Sequence, residues 1–185
     1  MSAELDDDRD GDEPNDADAW ASAVKESVAV TAAYRFAQSF VGRTRARSLG
    51  NAVLIDMEYS AHELRRTATH IDRDEPPRWI TSLSLTSRCE MSQDGRSVVL
   101  GPGDISFYDS SRPLEAKLEG GRELLLSLPR SDLLLPDGLL QQMTATRYPS
   151  DAGFGFALAA TLSVLSEVTE PALRGRSTEL SLIHI

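Results

Sequence analysis

From about residue 40 to residue 128, apolar residues recur at every second position. Val53, Ile55, Met57 and Tyr59 alternate with Ala52, Leu54, Asp56 and Glu58, and Trp79, Leu83, Leu85, Cys89 and Met91 alternate with Ser82, Ser84, Thr86, Arg88 and Glu90. A period of two marks strands with one buried face, because successive side chains of a pleated backbone point to opposite sides. Asp94-Gly95, ahead of the run 97–100, suits a two-residue turn in which both central residues take positive φ, and predicts a hairpin. By the same reasoning Gly120-Gly121 predicts a second hairpin between 114–118 and 123–128. Gly101-Pro102-Gly103-Asp104 predicts a tight turn that sends the chain back along a short strand, 105–109.

Outside this region the spacing is helical. Asp18 as N-cap with Trp20, Val24 and Val28 predicts a short helix packing outside the main fold. After Pro129, 138–146 predicts a short helix, and Ala157, Leu158, Thr161, Leu162, Leu165 and Val168 mark one face of a longer one. About eight strands with short turns must hide their edges and cover one apolar face, and closing the sheet on itself does both. The fold class expected is mainly β with C-terminal helices: a small barrel or two-sheet roll followed by two helices. Trp79, Leu83 and Leu85 then share an inward face and are candidates for lining a pocket, with Thr81 able to orient a polar group; filling a closed core is the alternative for each.

Composition bounds the function. The 185 residues carry a net charge of −10, but residues 1–19 hold nine acids against Arg9, leaving 20 acids and 18 bases in the other 166. A nearly neutral body lacks the basic surface that charge-driven nucleic-acid binding needs. Residues 1–18 have little to bury and are expected to be a disordered acidic tail. The one cysteine, Cys89, allows no intrachain disulfide and points to the cytoplasm. No segment has the apolar length of a membrane span.

Catalytic and metal motifs do not assemble. His62-Glu63-Leu64-Arg65-Arg66 has arginine where a zinc-protease helix needs its second histidine, and His62 and His70 on one strand would lie about 26 Å apart at ~3.3 Å per residue. Gly153-Phe154-Gly155 lacks the third glycine of a dinucleotide loop, and no nucleophile elbow or phosphate loop is present. Arg43, Arg45 and Arg47 share one strand face, either solvated or a stripe for carboxylates. The leucine-rich C-terminal helix face reads equally as core or as a dimer seam.

Residues 96–113, RSVVLGPGDISFYDSSRP, preceded by Gln93-Asp94-Gly95, resemble the cupin-like ligand-binding domain of AraC-type (AraC/XylS) transcriptional regulators. So do FVGRTRARSLGN (40–51) and LRRTATHIDRDEP (64–76). The resemblance runs from about Trp20 to Val168 and implies a cupin-like β-barrel of the double-stranded β-helix, or jelly-roll, type, assigned to 19–170. It implies a regulatory domain that senses a small organic effector or mediates dimerisation, or both, and that reaches DNA only through a helix-turn-helix module beyond this chain; the C-terminal helices are expected to form the homodimer contact. Gly101, Pro102, Gly103, Asp104, Asp109, Arg112 and Pro113 are assigned to structural turns, with a local charge-assisted hydrogen bond expected between Asp109 and Arg112. Leu114 and Ser87 depart from the family's habits. No catalytic residue, metal or cofactor is expected. The alternative is a metal-dependent cupin enzyme acting on a small metabolite, which the shortage of histidine disfavours, and a third reading is a plain dimerisation domain with a filled barrel. The last six residues, 180–185, match an in-frame reading of a transposon adapter end, CTG-TCT-CTT-ATA-CAC-ATC, so 171–185 is expected to be a truncated, partly artefactual end.

Overall fold

The computed structural model describes residues 16–28, 30–71 and 75–167. Most of the expected acidic tail, Val168 of the expected helix face, and the expected artefactual end at 171–185 lie outside the described residues. Two strands organise the rest: β3 (Ala52–Arg66) and β8 (Leu114–Pro129) pair antiparallel over nearly their full length, from Val53 opposite Ser127 to Arg66 opposite Leu114. Along the other edge of β8 run β4 (Arg78–Ser84) and then β5 (Cys89–Gln93). β1 (Ala33–Phe36) and β2 (Gly42–Leu49) flank the two halves of β3. β6 (Arg96–Leu100) flanks β5, while β7 (Asp104–Asp109) and the two-residue β9 (Tyr148–Pro149) continue outward from β4. The nine strands are hydrogen-bonded into one continuous surface that rolls around a common interior as two sheets sharing the long strands. The first holds β2, β4, β7 and β9 with the Val53 end of β3 and the Ser127 end of β8, the second β1, β5 and β6 with their other ends.

The roll has a consequence for which residues face inward. Ile55, Met57 and Tyr59 of β3 point inside, but so do Leu64 and Arg66 further along; in β8, Leu125 and Glu123 point inside, but so do Leu118 and Leu114. The parity flips at one level across three neighbours: Ser60-Ala61, Gly120-Gly121, and 85–88 between β4 and β5. Gly120-Gly121 is therefore no hairpin but the bend within one 16-residue strand. Gly121 has φ 130°, and a Cβ there would meet the Ser87 Cα at 2.8 Å. Only glycine accommodates both the conformation and the crossing backbone. The Asp94-Gly95 hairpin forms as expected, with φ of 55° and 75°.

The outer faces differ. On the second sheet, Arg35, Glu63, Lys117 and Glu90 lie opposite one another across four strands, a ladder of alternating charge that suits water. On the first sheet, Leu54, Trp79, Leu83, Ile105, Phe107 and Leu124 form a second apolar cluster with Leu140 and Leu162 of α2 (Asp137–Met143) and α3 (Gly153–Glu167). Arg47 of β2 donates to the Leu165 carbonyl of α3 at 2.9 Å, satisfying a terminal acceptor of that helix. The arginine face of β2 is thus outside the barrel.

α1 (Ala17–Val28) is capped by Asp16, not Asp18: the Asp16 side chain accepts from the Ala19 amide at 3.0 Å. Nor does the helix pack outside the fold. Trp20 is 1 % exposed and makes edge contacts with Tyr34, Phe36, Phe40, Tyr59 and His62. Three apolar residues at helical spacing, Trp20, Val24 and Val28, were enough to close the barrel rather than decorate it.

Candidate ligand site inside the barrel

The interior holds a cavity of about 60 Å³, walled by α1 on one side and by β3, β5, β7 and β8 on the others. Glu123 of β8 stands in its wall. One carboxyl oxygen accepts from the Tyr59 hydroxyl at 2.8 Å and the other from the Ser82 hydroxyl. Tyr59 also lies 3.3 Å from Ser87 Oγ, and Ser84 Oγ donates to the Ser87 carbonyl at 2.5 Å. Ser106, opposite Ser82 in the register of β4 and β7, is fully buried with no partner for its hydroxyl. The inner surface of the first sheet therefore carries buried polar groups among Ile55, Met57, Ile80 and Leu125, where its helix-covered outer surface is apolar.

Among the described residues no cation forms an ion pair with Glu123. Burial raises its pKa, with the Ser82 and Tyr59 hydrogen bonds opposing. Burial also pushes up the hydroxyls of Tyr59 and Tyr34, the latter to about 12, and the Cys89 thiol. His62, wedged between Trp20 and Tyr59, is lowered by the same desolvation, opposed by its hydrogen bond to the Ser60 carbonyl. Arg66 also lines the cavity, but its guanidinium is held by Glu75 at 3.0 Å and by the carbonyls of Ser110, His70 and Thr31. Among the described residues no three His, Cys, Asp or Glu side chains come together as a metal ligand set.

The residues expected to line a pocket lie elsewhere. Trp79 and Leu83 belong to the cluster beneath α2 and α3, Leu85 packs against it, and Thr81 sits between Leu126 and Phe107 in the register of the same strand. The expectation of an inward Trp79–Leu85 face is corrected by the parity flip, since Cys89 and Met91 of the same odd series do face inward. Tyr59 was placed on the buried face of its strand, but Glu123, Ser82 and Ser84 were passed over because a polar residue alternating with leucine reads as the solvent side. A signal was present: Ser82 and Ser84 carry no charge, unlike the Arg, Lys and Glu of the wet ladder on the second sheet.

The turn residues take the expected places, with one change of partner. Gly103 has φ 84°, and the Asp104 carboxylate accepts from the Gly101 amide at 2.9 Å and pairs with Arg147 at 2.8 Å. Pro102 fills the position before Gly103, and the Pro113 carbonyl accepts from Gln93 Nε2 at 3.2 Å. Asp109, however, bonds chiefly to Ser111 and to Arg130 at 3.0 Å, while Arg112 reaches Asp94 at 2.8 Å and Asp109 only at 3.8 Å. The turn is fixed both from within, by Ser111 and by the Arg112 amide on the Asp109 carbonyl at 3.2 Å, and by Arg130 and Asp94 from other elements.

A two-sheet roll whose long strands serve both sheets, closed by flanking helices, is a cupin-like barrel. The chain belongs to the AraC-binding-like domain family, whose model matches residues 18–182. It is 28 % identical over 97 residues to an uncharacterised protein in the nit 5′ region of Bacillus sp. (strain OxB-1), covering 52 % of this chain and 38 % of that protein. The crystal structure of the AraC-like transcriptional activator CuxR matches with a TM-score of 0.71 at 17 % identity, covering 85 % of this chain and 59 % of that one. An RmlC-like cupin from Shewanella frigidimarina NCIMB 400 matches with a TM-score of 0.38 at 17 % identity, over 53 % of this chain and 84 % of that one. The chain spans less than two thirds of the Bacillus relative and of CuxR. Among the described residues no helix is long and apolar enough to cross a membrane.

Proposed function

We propose that this chain, over about residues 19–170, is the effector-sensing half of an AraC-type transcription regulator of the cytoplasm, a sensor rather than a catalyst. The observation that carries this reading is the buried Glu123 in the wall of an interior cavity, held from behind by the Tyr59 and Ser82 hydroxyls. A carboxyl group taken out of water without an ionic partner costs several kcal/mol, on the order of what a whole core side chain contributes, and such groups are retained where recognition uses them.

In this reading α3 supplies the homodimer contact. Phe156, Ala160 and Val164 lie one turn apart on its exposed side, with Ala157 and Thr161 beside them and no charged residue within the stripe. A helix apolar on both sides fits between two partners, here the barrel and a second copy. DNA contact would then belong to a separate module of the full-length protein. A thermal-shift screen of small organic molecules against this chain tests the sensor role: a saturable rise for one chemical group is expected, and a metal-dependent turnover of any of them would contradict it.

A further inference from the structure

The cavity's walls also specify the kind of guest, an inference that rests on the sensor reading above. The cavity's one acidic wall residue, Glu123, is an acceptor. Tyr59 and Ser82 each donate one hydrogen bond to Glu123, using two of the roughly four acceptor sites a carboxylate offers. Among the described residues no further donor meets the remaining capacity, and Glu123 lines the cavity. Around it stand the rings of Trp20, Tyr34 and Tyr108, with the soft side chains of Met57 and Met91. Aromatic faces carry negative potential, so they attract cations and add nothing for anions. Arg66, the cationic side chain in the wall, spends its donors on Glu75 and three carbonyls, which leaves little for a guest's carboxylate.

Size narrows the class. A cavity of ~150 Å³ holds benzene, so about 60 Å³ corresponds to roughly two or three heavy atoms with Trp20 in place. We infer that the barrel recognises a primary ammonium group on a short alkyl stem, its N–H donors on the Glu123 carboxylate and its charge among the Trp20, Tyr34 and Tyr108 rings. Longer amines of the same kind would need Trp20 and α1 to withdraw.

The test is thermal unfolding of the full chain with methylammonium or ethylammonium chloride, against methanol, ethanol, formate and acetate at matched ionic strength. The expected result is a saturable rise in Tm of several degrees with the two ammonium salts alone, lost in Glu123→Gln. Equal or larger saturable shifts with the alcohols or the carboxylates would overturn the ammonium class while leaving an interior sensor intact. No shift with any of the six overturns it as well, and the small-molecule screen then judges the sensor reading separately. If Glu123→Gln does not fold, as judged by circular dichroism, the comparison among the six probes on the unmodified chain still decides.

Discussion

The Tyr59 hydroxyl lies 2.8 Å from Glu123 Oε2, both side chains buried, adding an interior polar contact to the two longest strands of the fold, which also pair along their backbones and through the exterior Arg122–Asp56 and Arg65–Glu115 ion pairs. Tyr59 sits at the last position of β3 before its interior parity flips, and Glu123 two residues beyond the bend of β8, so the contact is made where both strands turn. Tyr59→Phe removes one donor and leaves a buried carboxyl under-satisfied. A loss of about 1–3 kcal/mol is expected, read as a lower urea midpoint with an unchanged slope. An unchanged midpoint would show that the contact is not formed.

Acidity should tell the same story with a defined sign. The folded-state pKa of Glu123 is raised, so its contribution to stability is fully present below the unfolded carboxylate value and is lost as pH rises through the folded value. His62 is lowered, so its contribution is present above about pH 6.5 and is lost as pH falls towards the folded value. The groups facing Glu123 are Tyr59, Cys89 and Tyr108, all held neutral by burial, with His62 and Arg66 elsewhere on the cavity wall. Glu123→Gln should therefore gain Tm relative to the unmodified protein as pH is raised from 5 to 9. Parallel curves would mean that folding does not raise the carboxyl's pKa.

The bend makes a contrast between two glycines. Gly121→Ala forces a Cβ to 2.8 Å from the Ser87 backbone at a φ of 130°, and about 2 kcal/mol or more should be lost. Gly138→Ala, in α2 with nothing within 4 Å of the new methyl, should be neutral or stabilising by about 0.4–1 kcal/mol. Chemical denaturation of the pair checks both, and equal effects would place the bend elsewhere.

The seal over the barrel has its own signature. Gly42→Ala drives a methyl into the Trp20 indole, and Trp20→Ala empties the space it fills, at a cost of about 3–5 kcal/mol. Both variants should bind the environment-sensitive dye ANS more strongly than the unmodified chain, because both expose the interior. A Trp20→Ala protein with unchanged stability would mean that α1 is not packed.

Self-association should reside on α3. Val164→Asp places a charge on an exposed apolar stripe without touching the core, so sedimentation should find monomers of unchanged Tm where the parent dimerises. A dimer that survives this change uses another face.

How far the sequence carried these conclusions can be seen at individual residues. The alternation at Val53–Tyr59, the Asp94-Gly95 turn and the Leu158, Leu162, Leu165 helix face were legible because each is a local pattern with one physical solution. Gly120-Gly121 was not, since a turn and a sharply bent strand ask for the same residue; only the approach of Ser87, distant in sequence, decides between them. The inward set was misassigned for a related reason: periodicity finds two faces but does not say which one is inside. Once the parity flips at the bend, Trp79 and Leu83 belong under the helices while Ser82 and Ser84 belong to the interior.

Thr81 and Ser82 are adjacent residues of β4 on opposite sides of the sheet, and they offer the most direct measurement. For any small molecule that raises the melting temperature of this chain, calorimetric titration should show Ser82→Ala weakening binding about tenfold or more and Thr81→Val changing it less than about twofold. A guest that ignores Ser82 and is lost with Thr81 would contradict an interior site and return recognition to the helix-covered face.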